Sequence, residues 1–243
     1  MISKKNQKHL TLACTAVIAS LIGYTSTSAH ANTPIKFEIE QRKNHLVQLG
    51  KITLNNKTRE ISFEAKLGNP ESVLEYLLVT EKGKTHETLL ETDISPTNLN
   101  VAMILMKYVA SDDLFGDFAA KAKHADVKKA ELENRKREAR FDIFIEWNEG
   151  NRRVSRQVSE LIHNAKTNKE AAHKPYVYCG SFLNQGILKA ESTGDLIAIF
   201  TDKGTIANAS NKGRKDDTIW FPNKIKLPKQ GTPLTIVIRK HKP

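Results

Sequence analysis

The chain has 243 residues, with 38 Lys and Arg against 27 Asp and Glu for a formal charge of +11, and it contains two cysteines. That length suits one large domain or two small ones. So few cysteines exclude a disulfide-stapled scaffold, which leaves stability to a packed core.

Residues 1–31 combine a basic start (Lys4, Lys5, Lys8), an apolar run from Leu10 to Ile22, and Ala29-His30-Ala31 as an A-x-A cleavage signal. This pattern predicts a secretory signal peptide. The run is shorter than the roughly 20 apolar residues of a membrane span, and no later segment approaches that length. Thr11-Leu12-Ala13-Cys14 resembles a lipid-attachment box, but too little apolar sequence precedes Cys14, which is read as part of the discarded segment. Residues 32–243 are then expected as one soluble domain in the periplasm or outside the cell. Removal of the signal lowers the formal charge to about +8 and leaves Cys179 as the one cysteine. A basic exported chain favours anionic lipid head groups or wall polymers, and export makes nucleic acid the least favoured partner.

From Ile35 to Ala65, Phe37, Ile39, Ile52, Leu54, Ile61 and Phe63 fall at period two about Asn55-Asn56-Lys57, which predicts antiparallel strands joined by an Asn-rich turn. A strand from Val73 to Thr80, a turn at Glu81-Lys82-Gly83-Lys84 and a return strand from Thr85 to Thr92 are expected next as a hairpin. Ser95-Pro96-Thr97-Asn98 offers helix-start chemistry. Leu99, Ala102, Met103, Leu105 and Met106 supply the apolar face of a core helix, with the methionines as filler rather than ligands.

The stretch from Lys121 to Arg140 is rich in Lys, Arg, Glu and Ala and poor in large apolar residues, so it reads as a charged helical insertion, about 112–140. Its plain reading is a solvated helix, and its functional one is contact with an acidic partner or anionic polymer. Phe141 to Trp147 alternates as a half-buried strand, and Val154 to His163 reads as a strand turning into a short helix. Strands are expected at Tyr176 to Phe182, Ile187 to Glu191, Leu196 to Phe200 and Leu234 to Arg239. The sum is an α+β domain: mainly antiparallel β-sheet with one core helix and the charged insertion.

Two blocks carry a family resemblance. One is Leu74-Glu75 through Lys84-Thr85-His86-Glu87-Thr88-Leu89-Leu90, followed by Pro96, Leu99 and the apolar helix. The other is Tyr178-Cys179-Gly180-Ser181-Phe182, Ala190-Glu191 and Thr193-Gly194-Asp195-Leu196-Ile197-Ala198, with Asn208 downstream. Together they resemble the YdjY-like family of exported bacterial proteins. The resemblance implies no particular reaction. A ferredoxin-like label is sometimes attached to relatives, but an iron–sulfur cluster needs about four cysteines and none is expected here.

The blocks define a candidate face of Glu75, Lys84, His86, Glu87, Ser181, Glu191 and Asp195. Neighbouring residues of a strand point to opposite faces, so His86 and Glu87 do not share an ion without a bulge. If Glu191 or Asp195 packs beside His86, a divalent metal site of His86, Glu191 and Asp195 follows, with zinc the first choice. The plain role of Asp195 is to bond backbone amides in its own turn. A hydrolase would use Cys179 or Ser181 as nucleophile and His86 as base, but the nucleophile elbow is missing, and Cys179 between Tyr178 and Phe182 suits burial. Phosphate-loop and dinucleotide spacings are missing too, so no nucleotide cofactor is expected. Trp147, Tyr176, Tyr178, Trp220 and Phe221 could bind sugar or peptide, with core packing as their plain role. A non-catalytic binding or interaction protein for an envelope ligand is therefore favoured. The alternative is a metal-dependent hydrolase acting on an envelope substrate through His86 and nearby carboxylates.

Overall fold

The computed structural model describes residues 37–116 and 129–242. The predicted signal peptide, and the part of the charged insertion from 117 to 128, lie outside them. Residues from Phe37 onward form one compact unit.

A meander opens the unit: β1 (Ile39–Gln41), β2 (Leu46–Leu49), β3 (Ile52–Asn55) and β4 (Glu60–Leu67), each antiparallel to the next. The Asn-rich turn joins β3 to β4, where the Asn55 side chain accepts from the amides of Lys57 and Thr58. β5 (Tyr76–Thr80) and β6 (Thr88–Thr92) lead to helix α1 (Pro96–Leu105). The start of α1 matches its sequence signal: Ser95 Oγ accepts from Asn98 N at 3.2 Å, and Pro96 occupies the first turn. Leu99, Ala102, Met103 and Met106 are buried in the main apolar cluster, so both methionines are filler. α1 lies against β3.

Helix α2 (Lys129–Glu138) runs into β7 (Arg140–Glu149) and β8 (Arg152–Gln157). A 3₁₀ turn at Val158–Leu161 follows, with reciprocal bonds between Gln157 and Glu160 at its start. β9 (Ile162–Asn164), β10 (Lys169–Glu170), β11 (Tyr176–Tyr178), β12 (Leu183–Asn184), β13 (Ile187–Leu188), helix α3 (Lys189–Thr193), β14 (Asp195–Ala198), β15 (Ala207–Ala209), β16 (Trp220–Pro222) and β17 (Leu234–Lys240) complete the order.

Among the described residues the pairing order β4-β17-β7-β11-β15-β14-β5-β6 returns to β4 through Lys66↔Glu91 and Leu67↔Leu90, which closes an eight-stranded barrel. Two of its pairings, β5 with β6 and β14 with β15, are parallel. The chain is mostly β with few helices, as expected, but the simple antiparallel sheet with a core helix is corrected to a closed, mixed barrel. Closure follows from covering the sheet edges. Every residue of β5 is buried, so this strand has neighbours on both faces and both edges, and an open sheet would leave β6 as a bare edge.

Period two organises the interior. Phe141, Ile143, Ile145 and Trp147 of β7 and Leu234, Ile236 and Ile238 of β17 are buried in one cluster with Ile61 and Phe63 of β4. The expected strand from Ile187 to Glu191 is corrected as well: it ends at Leu188 and becomes α3, which Gly194 terminates in a left-handed conformation at φ +81°.

Barrel closure makes a specific prediction. Leu90, fully buried at the β4–β6 seam, should lose about 2–5 kcal/mol of stability on replacement by Ala, measured by denaturant unfolding. In the unaltered protein the Gly68 amide, bonded to Leu89 O at 2.9 Å, should exchange as slowly as amides of β7. Fast exchange there would mean the seam is open.

Candidate functional site

The Lys84-Thr85-His86-Glu87 tetrad does not lie on an antiparallel hairpin. After Thr80 the chain turns, with Gly83 N bonded to Thr80 O at 2.9 Å, and a 3₁₀ turn at Thr85–Glu87 delivers it to β6 beside the start of β5. Tyr76 then faces Thr88 and Thr80 faces Thr92, a parallel register. Parallel neighbours ordinarily need a crossover of about a dozen residues. Here residues 81–87 suffice, because two glycines let the backbone fold close against β14.

A Cβ on Gly83 would lie 2.7 Å from the Val79 Cβ and from Asp195 Oδ1. One on Gly194 would lie 2.4 Å from Thr80 Oγ1 and 2.5 Å from Gly83 N. Asp195, buried at the start of β14, fastens the crossover by accepting from Lys84 N at 3.0 Å, and Thr80 N donates to Gly194 O at 2.7 Å. Burial raises the Asp195 pKa above the usual carboxylate range, while the bond from Lys84 N opposes that shift.

Outside this clasp, Lys84 Nζ lies 2.8 Å from Glu75 and 3.3 Å from Glu87, and 5.4 Å from the centre of the Tyr76 ring. The hydrogen bond to Glu75 raises the Lys84 pKa. His86 points outward with 74% of its side chain exposed, and its Nε2 is 3.6 Å from Glu87. The crossover thus brings Glu75, Lys84, His86, Glu87 and Asp195 together, with Lys84 as the partner of Glu75, Glu87 and Asp195, and His86 reached only through Glu87.

Glu191 and Ser181 work elsewhere. Glu191 Oε2 accepts from Thr97 N and Thr97 Oγ1, both at 2.8 Å, and from Ser95 Oγ at 3.1 Å, so it caps α1. Ser181 Oγ donates to Gly204 O at 2.5 Å and accepts from Ala190 N at 3.2 Å. Cys179 Sγ donates to Val177 O at 3.3 Å, and burial pushes its thiol pKa up to about 12, which removes the thiolate a nucleophile needs. Among the described residues, the ligand atoms of His86, Glu191 and Asp195 do not form a group within 4.8 Å of one another. Trp147, Tyr176, Tyr178 and Trp220 are buried. Asn208, fully buried, donates to Asp202 O at 2.9 Å and accepts from Asp202 N at 2.7 Å, which sets the loop after β14.

Beside the crossover lies a groove of about 580 Å³. Glu64 and Lys66 of β4, Glu81 and Lys82 of the crossover, Glu91 and Asp93 at the end of β6, and Glu191 line it. Of these only Glu191 stood out in the sequence. The signal for Glu64 and Lys66 was local: they occupy the outward positions of an alternating strand whose inward ones are Ile61 and Phe63. Nothing local brings them to Glu81.

The YdjY domain is matched over residues 52–239, from β3 into β17. The chain belongs to the YdjY family. No curated protein and no solved structure matches it. Within the YdjY domain the crossover and the Gly194-Asp195 turn, far apart in sequence, are one structural unit.

The Gly194-Asp195 clasp makes two predictions. Gly194→Ala should destabilise the YdjY domain by more than Gly186→Ala, since both glycines have φ near +80° but only position 194 is crowded. The difference, read from thermal or urea unfolding, should be about 1–3 kcal/mol. Asp195→Ala should cost about 1–3 kcal/mol by leaving Lys84 N unpaired, and Asp195→Asn should cost less because its carbonyl still accepts. The folded-state pKa of Asp195 is raised, so its stabilising contribution is full below the unfolded value near 3.9 and is lost as pH rises through the folded one. The Asn variant should therefore gain on the unaltered protein as pH increases across that window.

Proposed function

We propose that this YdjY protein is exported and soluble, and acts without catalysis as a binding protein that receives a positively charged ligand in the groove beside the crossover. The carrying observation is the groove's charge. Five carboxylates and two lysines line it in a chain whose formal charge is +11. Lys66 pairs with Glu91 at 3.1 Å and Lys51 pairs with Asp93. Glu64 and Glu81 are exposed and have no ion-pair partner among the described residues. Its volume falls in the range of small-molecule sites, about 300–1,000 Å³, and two unpaired carboxylates in its lining favour an amine or guanidinium.

Export rests on the sequence of residues 1–31, and no helix among the described residues is long and apolar enough to cross a membrane. The non-catalytic reading draws on the engagement of Cys179, Ser181, Glu191 and Asp195 in fixed hydrogen bonds. A hydrolase working through His86 has as support only its exposure and its contact with Glu87. Contact of anionic polymer with the charged helix has the exposure of much of α2, where Lys136 is already paired with Glu133 at 3.0 Å.

The test is a thermal-shift screen of the purified protein with diamines, arginine, short Lys/Arg peptides, and neutral and anionic controls. Cationic members should raise the melting temperature, less so at high salt, and the Glu64→Gln/Glu81→Gln double variant should abolish the shift. Equal shifts in the double variant would sink the groove reading. Hydrolysis of an envelope substrate that disappears in His86→Ala would establish the enzyme instead.

A further inference from the structure

Away from the groove, β7, β17 and the loop before β11 bring together three side chains that no sequence spacing connects. Asp142 points outward from β7 between buried Phe141 and Ile143. His241 follows β17 and is held by a bond from its amide to Arg140 O at 3.2 Å. His173 lies in a loop tethered on both sides: Ala171 N donates to Ile162 O at 2.8 Å, and Ser210 Oγ donates to Pro175 O. His241 Nδ1 is 3.0 Å from each oxygen of Asp142, and His173 Nε2 is 3.1 Å from Asp142 Oδ1.

We propose that Asp142, His173 and His241 bind one divalent transition-metal ion of the zinc type. Four features carry this. The two histidine–carboxylate spacings, 3.0 and 3.1 Å, are close to the edge of a tetrahedron around an ion with bonds of about 2.0–2.1 Å, which is roughly 3.3 Å. All three ligand atoms lie within 4.8 Å of one another, the one such group among the described residues.

Second, Asp142 is 13% exposed, yet its ion-pair partners among the described residues are both histidines. Arg239, its cross-strand neighbour, turns instead to Glu60 at 2.6 Å and Glu146 at 3.2 Å, and Lys240 turns to Glu138 at 2.8 Å. The strong cations nearest in the sheet are thus engaged by other carboxylates.

Third, His173 Nε2 meets two groups with opposite demands: the acceptor Asp142 Oδ1 and the donor Gln157 Nε2. A ring nitrogen is a donor or an acceptor, never both. The Gln157 side chain accepts from the Glu160 backbone amide, which fixes its carbonyl end, so turning it does not relieve the conflict. A shared cation does: His173 and Asp142 both direct lone pairs to it, and the Gln157 N–H is left to face a bound water.

Fourth, Asp142, His173 and Gln157 border a pocket of about 20 Å³. That is room for one water. Two of the three ligands, Asp142 and His173, thus adjoin a water-sized space, as a site with an open position requires. Two imidazoles and one carboxylate select Zn²⁺, Co²⁺ or Ni²⁺ over Ca²⁺ and Mg²⁺, which take oxygen ligands. The site shares no residue with the groove, so either can stand without the other.

The experiment is titration of tag-free, chelator-stripped protein with Zn²⁺, and with Co²⁺ as a spectroscopic probe. One ion per chain is expected. His173→Ala and His241→Ala should each weaken binding by more than the roughly 10- to 100-fold that loss of an outer partner brings, while His86→Ala binds normally. Zn²⁺ should raise the melting temperature of the unaltered protein and not of the His173→Ala protein. In the unaltered protein, imidazole NMR signals of His173 and His241 should shift together with one equivalent of Zn²⁺, a readout independent of how the variants fold. Failure to bind Zn²⁺ saturably, binding at full strength in both histidine variants, or shifts confined to other histidines would each overturn the proposal and leave a hydrogen-bonded cluster.

Discussion

Everything on the crossover side of this barrel depends on the approach of Gly83 to Gly194. With no side chain at either position, the backbone after β5 lies directly on the turn before β14, and Asp195 takes the Lys84 amide. The crossover can then stay short, which sends β6 back alongside β5 in the parallel sense. β6 in turn reaches β4, and that contact closes the barrel. A hairpin at the same place would have put β6 antiparallel to β5 and moved the groove wall formed by Glu91 and Asp93.

Local signals in the sequence correspond to what the chain does locally. The alternation in β4 and β7, the Asn-rich turn, the Ser95 cap and the 3₁₀ turn after β8 are each governed by neighbours a few residues away, and each was legible. Strand direction and closure were not, because they follow from contacts between distant segments: β17 between β4 and β7, and β5 between β6 and β14. The same distinction holds at the site. Asp195 was expected to bond backbone amides in its own turn, and its bond reaches instead to Lys84, a residue of another segment. The family motif located the crossover, but Lys84 rather than His86 is its centre, as only the return of the chain to Glu75 reveals.

Charge is distributed against the chain's overall balance. A basic protein places carboxylates without ion-pair partners among the described residues, Glu64 and Glu81, at the groove, while several acids elsewhere are each met by more than one basic side chain. Glu146 shows the contrast: it is 6% exposed and is contacted by Arg153, Ser155 and Arg239 together. Groups left out of such pairing are the ones free to meet a ligand, because a carboxylate already desolvated and bonded has little more to gain. The Asp142 cluster differs from the groove: its carboxylate is met by two histidines and by no arginine or lysine among the described residues.

The position of β17 has a consequence for how the molecule forms. Its residues 234–240 sit between β4, at 60–67, and β7, so the barrel wall is incomplete until the two ends of the domain's sequence meet. Early strands cannot trap a closed intermediate by themselves, and ring closure is a late, long-range event. During synthesis the growing polypeptide therefore stays open. An unclosed chain of that kind would suit the export proposed above, in which translocation precedes folding.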